Sequence, residues 1–261
     1  MCGRYAAAKD PNALAEEFEV ASVPEEVLPP DYNVAPTKKV YIVVDKAHDD
    51  DFTSPSQSGK EGASPSDLER ALVVARWGLV PSWAKDPSIA SHTINARAET
   101  VAEKPSFRSA FVRRRCLVPA DGYYEWYQGP PQGPGGIPQK QPFYIHSTDG
   151  STLAMAGLYE WWREPGPTEA WRLTCSIITT EATDDVARIH NRMPMTIRPD
   201  AWERWLDPAV SGPEITRLMR PAALGSFVGH PVSSTVNAVR NNGPALLDAV
   251  DMANDPQAGL F

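Results

Sequence analysis

The chain has 261 residues, of which 42% are hydrophobic and 9% aromatic, enough for a sizeable core in one domain or two closely joined ones. No run of about 18 apolar residues occurs and no basic segment precedes an apolar one near the start, so neither a membrane span nor a signal peptide is expected, and the cytoplasm follows as the expected compartment. The net charge of −8 is concentrated: seven acidic and two basic residues leave 45–69 at −5, three aspartates leave 246–261 at −3, and the remainder balances.

Taken in chain order, "MCGRY" places Cys2 directly behind the initiator, small enough for a methionine aminopeptidase to remove Met1. The mature chain then carries an amine and a thiol on adjacent carbons, both partly nucleophilic near neutral pH. "KDPNALAEEFEV" reads as a short helix capped by Asp10, with Pro11 in its first turn and Leu14 and Phe18 on one face. "KVYIVV" (39–44) is a strand. The polar, acidic, Ser-, Gly- and Pro-rich stretch at about 46–68 reads as a disordered insertion, and removal of 48–66 is expected to leave the fold intact. "ALVVARWGLVP" resumes as a strand and "KPSFRSAFVRRR" as a helix carrying a basic cluster at Lys104, Arg108, Arg113, Arg114 and Arg115, a candidate phosphate patch.

"CLVPADGYYEWY" predicts a strand, a turn and a second strand, and 128–140 a mobile Pro/Gly loop. Three further strands follow in "PFYIHS", "TLAMAGLYEWW" and "AWRLTCSIITT". Short helices are expected around Asp184–Ile189, in "PDAWERWL" and in "PEITRLM". "FVGHPVSSTVNAV" reads as a final strand pair, and 248–261 as a tail. The expected fold is α+β: one domain over 1–247 with a curved, barrel-like antiparallel β-sheet core and peripheral short helices. Twenty-six prolines and 17 glycines exclude a helical bundle. The three cysteines, Cys2, Cys116 and Cys175, are too few and too widely spaced for a disulfide framework, and Cys116 and Cys175 lie in apolar runs as inert core residues. No CxxC or HxH spacing suggests a metal site, and no cofactor is expected.

Several polar residues interrupt apolar or turn-rich segments: Asn33 in "DYNVAPT", Asn95 and Arg97 in "TINARAET", Glu125 among the aromatics of "DGYYEWY", and His190 and Arg192 in "IHNRMPM". Each has a structural alternative as a cap or an ion-pair partner. A carboxylate among aromatics has a raised pKa, which suits proton transfer near neutrality.

"MCGRY", "YNVAPT", "RWGLVPSW", "INARAET", "CLVPADGYYEWY" and "IHNRMPM", in that order and followed by "HPVSSTVNAVRNNGP", resemble the SOS-response-associated peptidase (SRAP) family. The resemblance covers nearly the whole chain; the acidic insertion, the Pro/Gly loop and the tail depart from it. It implies a sensor of abasic sites in single-stranded DNA whose mature N-terminal cysteine forms a Schiff base and then a thiazolidine crosslink, with associated peptidase and lyase activity. On this pattern Cys2 is the nucleophile, Asn95 positions the sugar or the amine, Glu125 is the acid/base, and His190 assists proton transfer and reversal. Arg97 and Arg192 match positions that contact DNA phosphate, with Arg4 and Asn33 carried over less firmly, and Trp83 matches a residue that stacks on or wedges the DNA. The implied partner is single-stranded DNA containing an abasic site, with the protein a monomer that joins the nucleoid when bound. Two other readings stay open: an N-terminal-nucleophile amidohydrolase, because glutamine amidotransferases also begin "MCG", and a non-covalent single-stranded DNA-binding module.

Overall fold

A computed structural model describes residues 2–47, 52–55, 68–131, 138–165, 170–183 and 186–251. β1 (Tyr5–Ala7) is followed by α1 (Pro11–Glu17), β2 (Asp31–Val34), β3 (Lys39–Ala47), β4 (Leu68–Trp77), β5 (Asn95–Arg97), α2 (Arg108–Arg113), β6 (Arg115–Ala120), β7 (Gly122–Pro131) and β8 (Pro138–Ser147). Then come β9 (Leu153–Arg163), β10 (Trp171–Glu181), α3 (Val186–Ile189), β11 (Arg192–Pro194), α4 (Trp202–Leu206), α5 (Pro213–Leu218) and β12 (Phe227–Pro231). Among the described residues no helix is long and apolar enough to cross a membrane.

The strands form two layers. One is an antiparallel sheet in the order β12-β8-β7-β1-β2. In the other, β10-β4-β3-β6-β9 closes on itself, because β9 pairs along the first half of β10. The α+β class and the barrel-like core are as expected, but the pair β4–β10 within the barrel is parallel, so the barrel is mixed. A parallel neighbour needs a crossover rather than a hairpin, and here the long chain from β4 to β10 supplies it. Beyond Ile177, β10 is longer than the barrel wall. Its free end takes β5 in parallel and β11 antiparallel, which makes this end of β10 an organising point for the site.

Burial on both faces explains why 116–120 of β6 and 153–159 of β9 read as apolar runs. One core joins barrel residues Ile42, Val118, Met155 and Cys175 to Tyr5, Tyr123 and Ile145 of the open sheet. The second packs Leu14, Phe18, Phe111, Trp202 and Trp205 onto Val43, Leu117 and Leu158. Asp10 caps α1 through the Asn12 N–H, as its position before Pro11 predicts. Phe18, just past the helix, stacks on Trp202 at 4.6 Å.

Four expectations are corrected. In "KPSFRSAFVRRR" the helix is confined to Arg108–Arg113, with turn residues at 105–107 ahead of it. Its basic cluster is also divided: Arg114 pairs with Glu160 at 2.6 Å, while Arg115 points inward and donates to the carbonyls of Trp205, Phe111, Val112, Asp207 and Val210. A guanidinium holding α4 to the barrel in this way cannot meet a phosphate. The 128–140 stretch is not wholly a loop: β7 and β8 continue through Gln128↔Lys140 to Pro131↔Pro138, and only 132–137 lie outside the described residues. The predicted final strand pair is one strand, β12, followed by a 3-10 turn at Ser234–Asn237 capped by Ser233.

The fourth correction concerns the acidic insertion. Its ends belong to the β3–β4 ladder, where Ala47 faces Leu68 and Lys46 pairs with Glu69 at 2.6 Å. Phe52 is buried against Tyr159 and Trp161, at ring distances of 5.6 and 5.4 Å. Residues 48–51 and 56–67, and the tail beyond 251, lie outside the described residues. Removing the whole insertion therefore removes core. Phe52→Ala should destabilise the fold by about 3 kcal/mol, read as a lower denaturant midpoint at unchanged slope. A midpoint equal to the parent's would show that the ring contributes no packing.

Candidate active site

Strand pairing at the start of the chain places the first candidate. Tyr5 faces Tyr123, and the Tyr124 N–H donates to the Arg4 carbonyl at 2.9 Å. The segment ahead of β1 thus lies along β7 and carries Cys2 toward Glu125. Cys2 is fully buried. Burial first, and the charge of Glu125 second, hold its thiol well above the usual range, while the backbone N–H of Arg4 acts in the opposite sense.

Asn95 opens β5, directly across from Ile177 of β10. Its Nδ2 donates to the Cys2 carbonyl at 2.7 Å, and its Oδ1 is buried with no hydrogen-bond partner among the described residues. One side-chain amide therefore ties the chain's first residues to the barrel and keeps an acceptor beside them.

Glu125 is buried on β7, and burial raises its carboxyl pKa to about 7. Its Oε1 stands 4.0 Å from Nδ1 of His190. His190 directly follows α3, which packs on β7. Nδ1 of the ring lies 2.9 Å from the Arg192 backbone N–H and 3.2 Å from the Arg192 carbonyl, so the backbone of Arg192 holds the imidazole in place. Burial holds this imidazole below its ordinary pKa and so keeps it neutral near pH 7. A thiol, a carboxylic acid poised near neutrality, a neutral imidazole and an orienting amide thus converge from the chain start, β7, the end of α3 and β5. That set can attack an electrophilic carbon and move the accompanying protons.

Two positively charged candidates flank this centre at the free end of β10. Arg97 is exposed and lies opposite Thr179. Arg192 lies opposite Glu181 and donates from Nη2 to the Thr179 carbonyl at 2.6 Å. Its guanidinium also grips both carboxylate oxygens of Glu99, at 2.6 and 3.0 Å.

Trp83 stands on a turn held by the Ala84 N–H to Pro81 carbonyl bond and by Trp162 donating to the Ala84 carbonyl. Its ring is 60% exposed, whereas Trp77 is a core residue donating to the Ile94 carbonyl. Gly78, between them, takes φ +118°, and a Cβ there would meet the Ala90 carbonyl at 2.8 Å.

Arg4 and Asn33 are not brought to the same point. Neighbours on a strand face opposite ways, and Arg4 lies with Tyr124 and Trp126, across the sheet from Glu125. Asn33 is 0% exposed; its amide donates to the carbonyls of Val236, Ala238 and Asn241 and accepts from Arg4. Together with Asn242, which bonds Tyr32 and Pro30, these residues fasten "VNAVRNN" over β1 and β2. Their described contacts are scaffold contacts.

The sequence reading passed over two residues. Tyr123 shares the sheet face of Glu125, and its buried hydroxyl has no partner among the described residues; alternation along "YYE" was the available sign. Glu99 gave no sign, because its partner lies 93 positions away.

Among the described residues no group of three or more His, Cys, Asp or Glu is arranged to hold a metal ion. Residues 1–239 match the family model described as SOS response associated peptidase (SRAP). The chain is 35% identical over 251 residues to the abasic site processing protein YoqW of Bacillus subtilis, covering 95% of this chain and all of that one. It is 36% identical over 247 residues to the abasic site processing protein HMCES of Gallus gallus, covering 85% of this chain and 67% of that one. A solved protein from Bacteroides thetaiotaomicron superposes with a TM-score of 0.75 at 26% identity, over 95% of this chain and 100% of that one. The barrel with its end-on site, the ordered motifs and a match running from the first residue to the closing loop agree, and the chain belongs to the SOS response associated peptidase (SRAP) family.

Proposed function

We propose that this protein processes abasic sites in single-stranded DNA by forming a covalent thiazolidine through Cys2 once Met1 has been removed. The observation that carries the reading is the Asn95–Cys2 bond, which anchors the chain start beside Glu125 and His190. The names of the relatives support the substrate.

The chemistry follows from the groups present. The deoxyribose of an abasic site is a hemiacetal in equilibrium with its open aldehyde. Opening needs a base at the anomeric hydroxyl and an acid at the ring oxygen, and Glu125, with a pKa of about 7, serves either half of that exchange at neutral pH. The α-amine of mature Cys2 adds to the aldehyde, and loss of one water gives the imine. The thiol sulfur then bonds to the imine carbon, and the thiol proton passes to the nitrogen. The buried thiol is protonated at rest, so this step needs a local acceptor; Glu125 supplies it, with the neutral imidazole of His190 as relay. Hydrogen bonding from Asn95 keeps amine and sulfur on one side of the carbon.

If the imine forms without ring closure, β-elimination can nick the strand, which accounts for an accompanying lyase activity. Arg97 and Arg192 meet phosphates beside the lesion, and Trp83 covers an adjacent base.

Intact mass spectrometry of the mature protein with an abasic oligonucleotide tests this. The expected product has the summed mass less one water and survives denaturant. Binding that is lost on denaturation would identify a non-covalent module, and glutamine hydrolysis in place of the adduct would identify the amidohydrolase.

A further inference from the structure

We propose that Glu99 is a built-in phosphate mimic that masks Arg192 until single-stranded DNA displaces it, and so sets the affinity for DNA that lacks the lesion. The inference rests on the reading that Arg192 meets phosphate.

The geometry is specific. Glu99 presents two oxygens to Nη1 and Nη2 of Arg192, the arrangement in which a guanidinium also takes two oxygens of a phosphate. The carboxylate is 45% exposed while the guanidinium side chain is only 12% exposed, so Glu99 lies on the solvent side. Behind it, Nη2 is fixed on the Thr179 carbonyl, and Nε is buried with no partner among the described residues. Arg192 therefore cannot swing out to meet a ligand. A phosphate must come to it, and the direct approach is the place Glu99 occupies.

Arg97 lies two residues before Glu99, and its charge also bears on the Glu99 carboxylate. One anion thus sits in the field of both arginines assigned to phosphate. The mask costs affinity for any single strand. A strand already held by its aldehyde at Cys2 delivers its phosphate at high effective concentration and displaces the carboxylate more easily.

The test compares the parent with Glu99→Gln, which keeps the shape and removes the charge, and with Glu99→Ala. An undamaged single-stranded oligonucleotide is titrated by anisotropy from low to high salt, and thermal melts confirm that each variant is folded. Both variants should bind about 3- to 5-fold more tightly at low salt. Their log–log salt slope should steepen by about 0.7, because a phosphate then meets Arg192 without freeing a competing anion. In an Arg192→Ala background the gain should shrink to whatever Arg97 alone provides. If the parent binds with a clear salt dependence but both variants bind equally or more weakly, Glu99 is a strut that orients Arg192 and the mask is wrong. If the parent shows no salt-dependent binding, the phosphate reading beneath it fails and the mask falls with it.

Discussion

Blocking the amine of Cys2 should abolish the stable crosslink even though the thiol is untouched. An uncleavable residue ahead of Cys2 turns its nitrogen into an amide, which forms no imine, so there is no electrophilic carbon for the sulfur to close on. Cys2→Ser has the complementary defect. It keeps the amine once Met1 is removed, so borohydride should still trap a Schiff base, and strand nicking should rise as ring closure fails. The stable adduct on a denaturing gel should fall to background in both proteins, while the trapped imine should appear only with Cys2→Ser. Asn95→Ala, which frees the Cys2 carbonyl, should slow adduct formation without eliminating it. A blocked protein that crosslinks as well as the mature one would place the reacting amine on a lysine and end the mechanism at its first step.

Glu125→Gln should slow crosslinking by ~10²-fold or less, with the larger loss on a closed-ring abasic site and the smaller on a pre-formed aldehyde. The same substitution has a stability signature of known sign. Burial raises the Glu125 pKa from 4.5 unfolded to about 7 folded. Between those values the folded chain holds a proton that the unfolded chain has lost, so stability falls as pH rises through the window. The slope approaches about 1.4 kcal/mol per pH unit for one full proton. Glu125→Gln should remove that slope and melt higher than the parent above pH 7, while being the slower crosslinker. His190→Ala should slow both formation and reversal, because it removes the relay 4.0 Å from the Glu125 carboxylate. Rates equal to the parent's at every pH would assign both residues to structural pairing instead.

Local sequence was enough to anticipate much of this molecule. β-Branched and aromatic runs specify β3, β9 and β10 because strand periodicity and burial are written in neighbouring residues. Asp10 and Pro11 announce α1 for the same local reason. Glu125 stood out because a carboxylate among three tyrosines and a tryptophan is chemically conspicuous wherever the chain folds. Where partners are distant, the same reading was misled. Arg115 looks like part of a surface patch, and only the packing of α4 against β6 turns it inward onto five carbonyls. Phe52, lost among aspartates and serines, becomes core because Tyr159 and Trp161 of β9 wait for it. Local sequence context singles out Cys2 and Glu125 as candidates, but β1 pairing with β7, β5 seated on the free end of β10 and α3 packed on β7 decide that Cys2, Asn95, Glu125 and His190 meet. The same tertiary placement separates Arg4 and Asn33 from that centre and sets Glu99 on Arg192, since strand pairing and ion pairing across some 90 residues depend on geometry that no local pattern encodes.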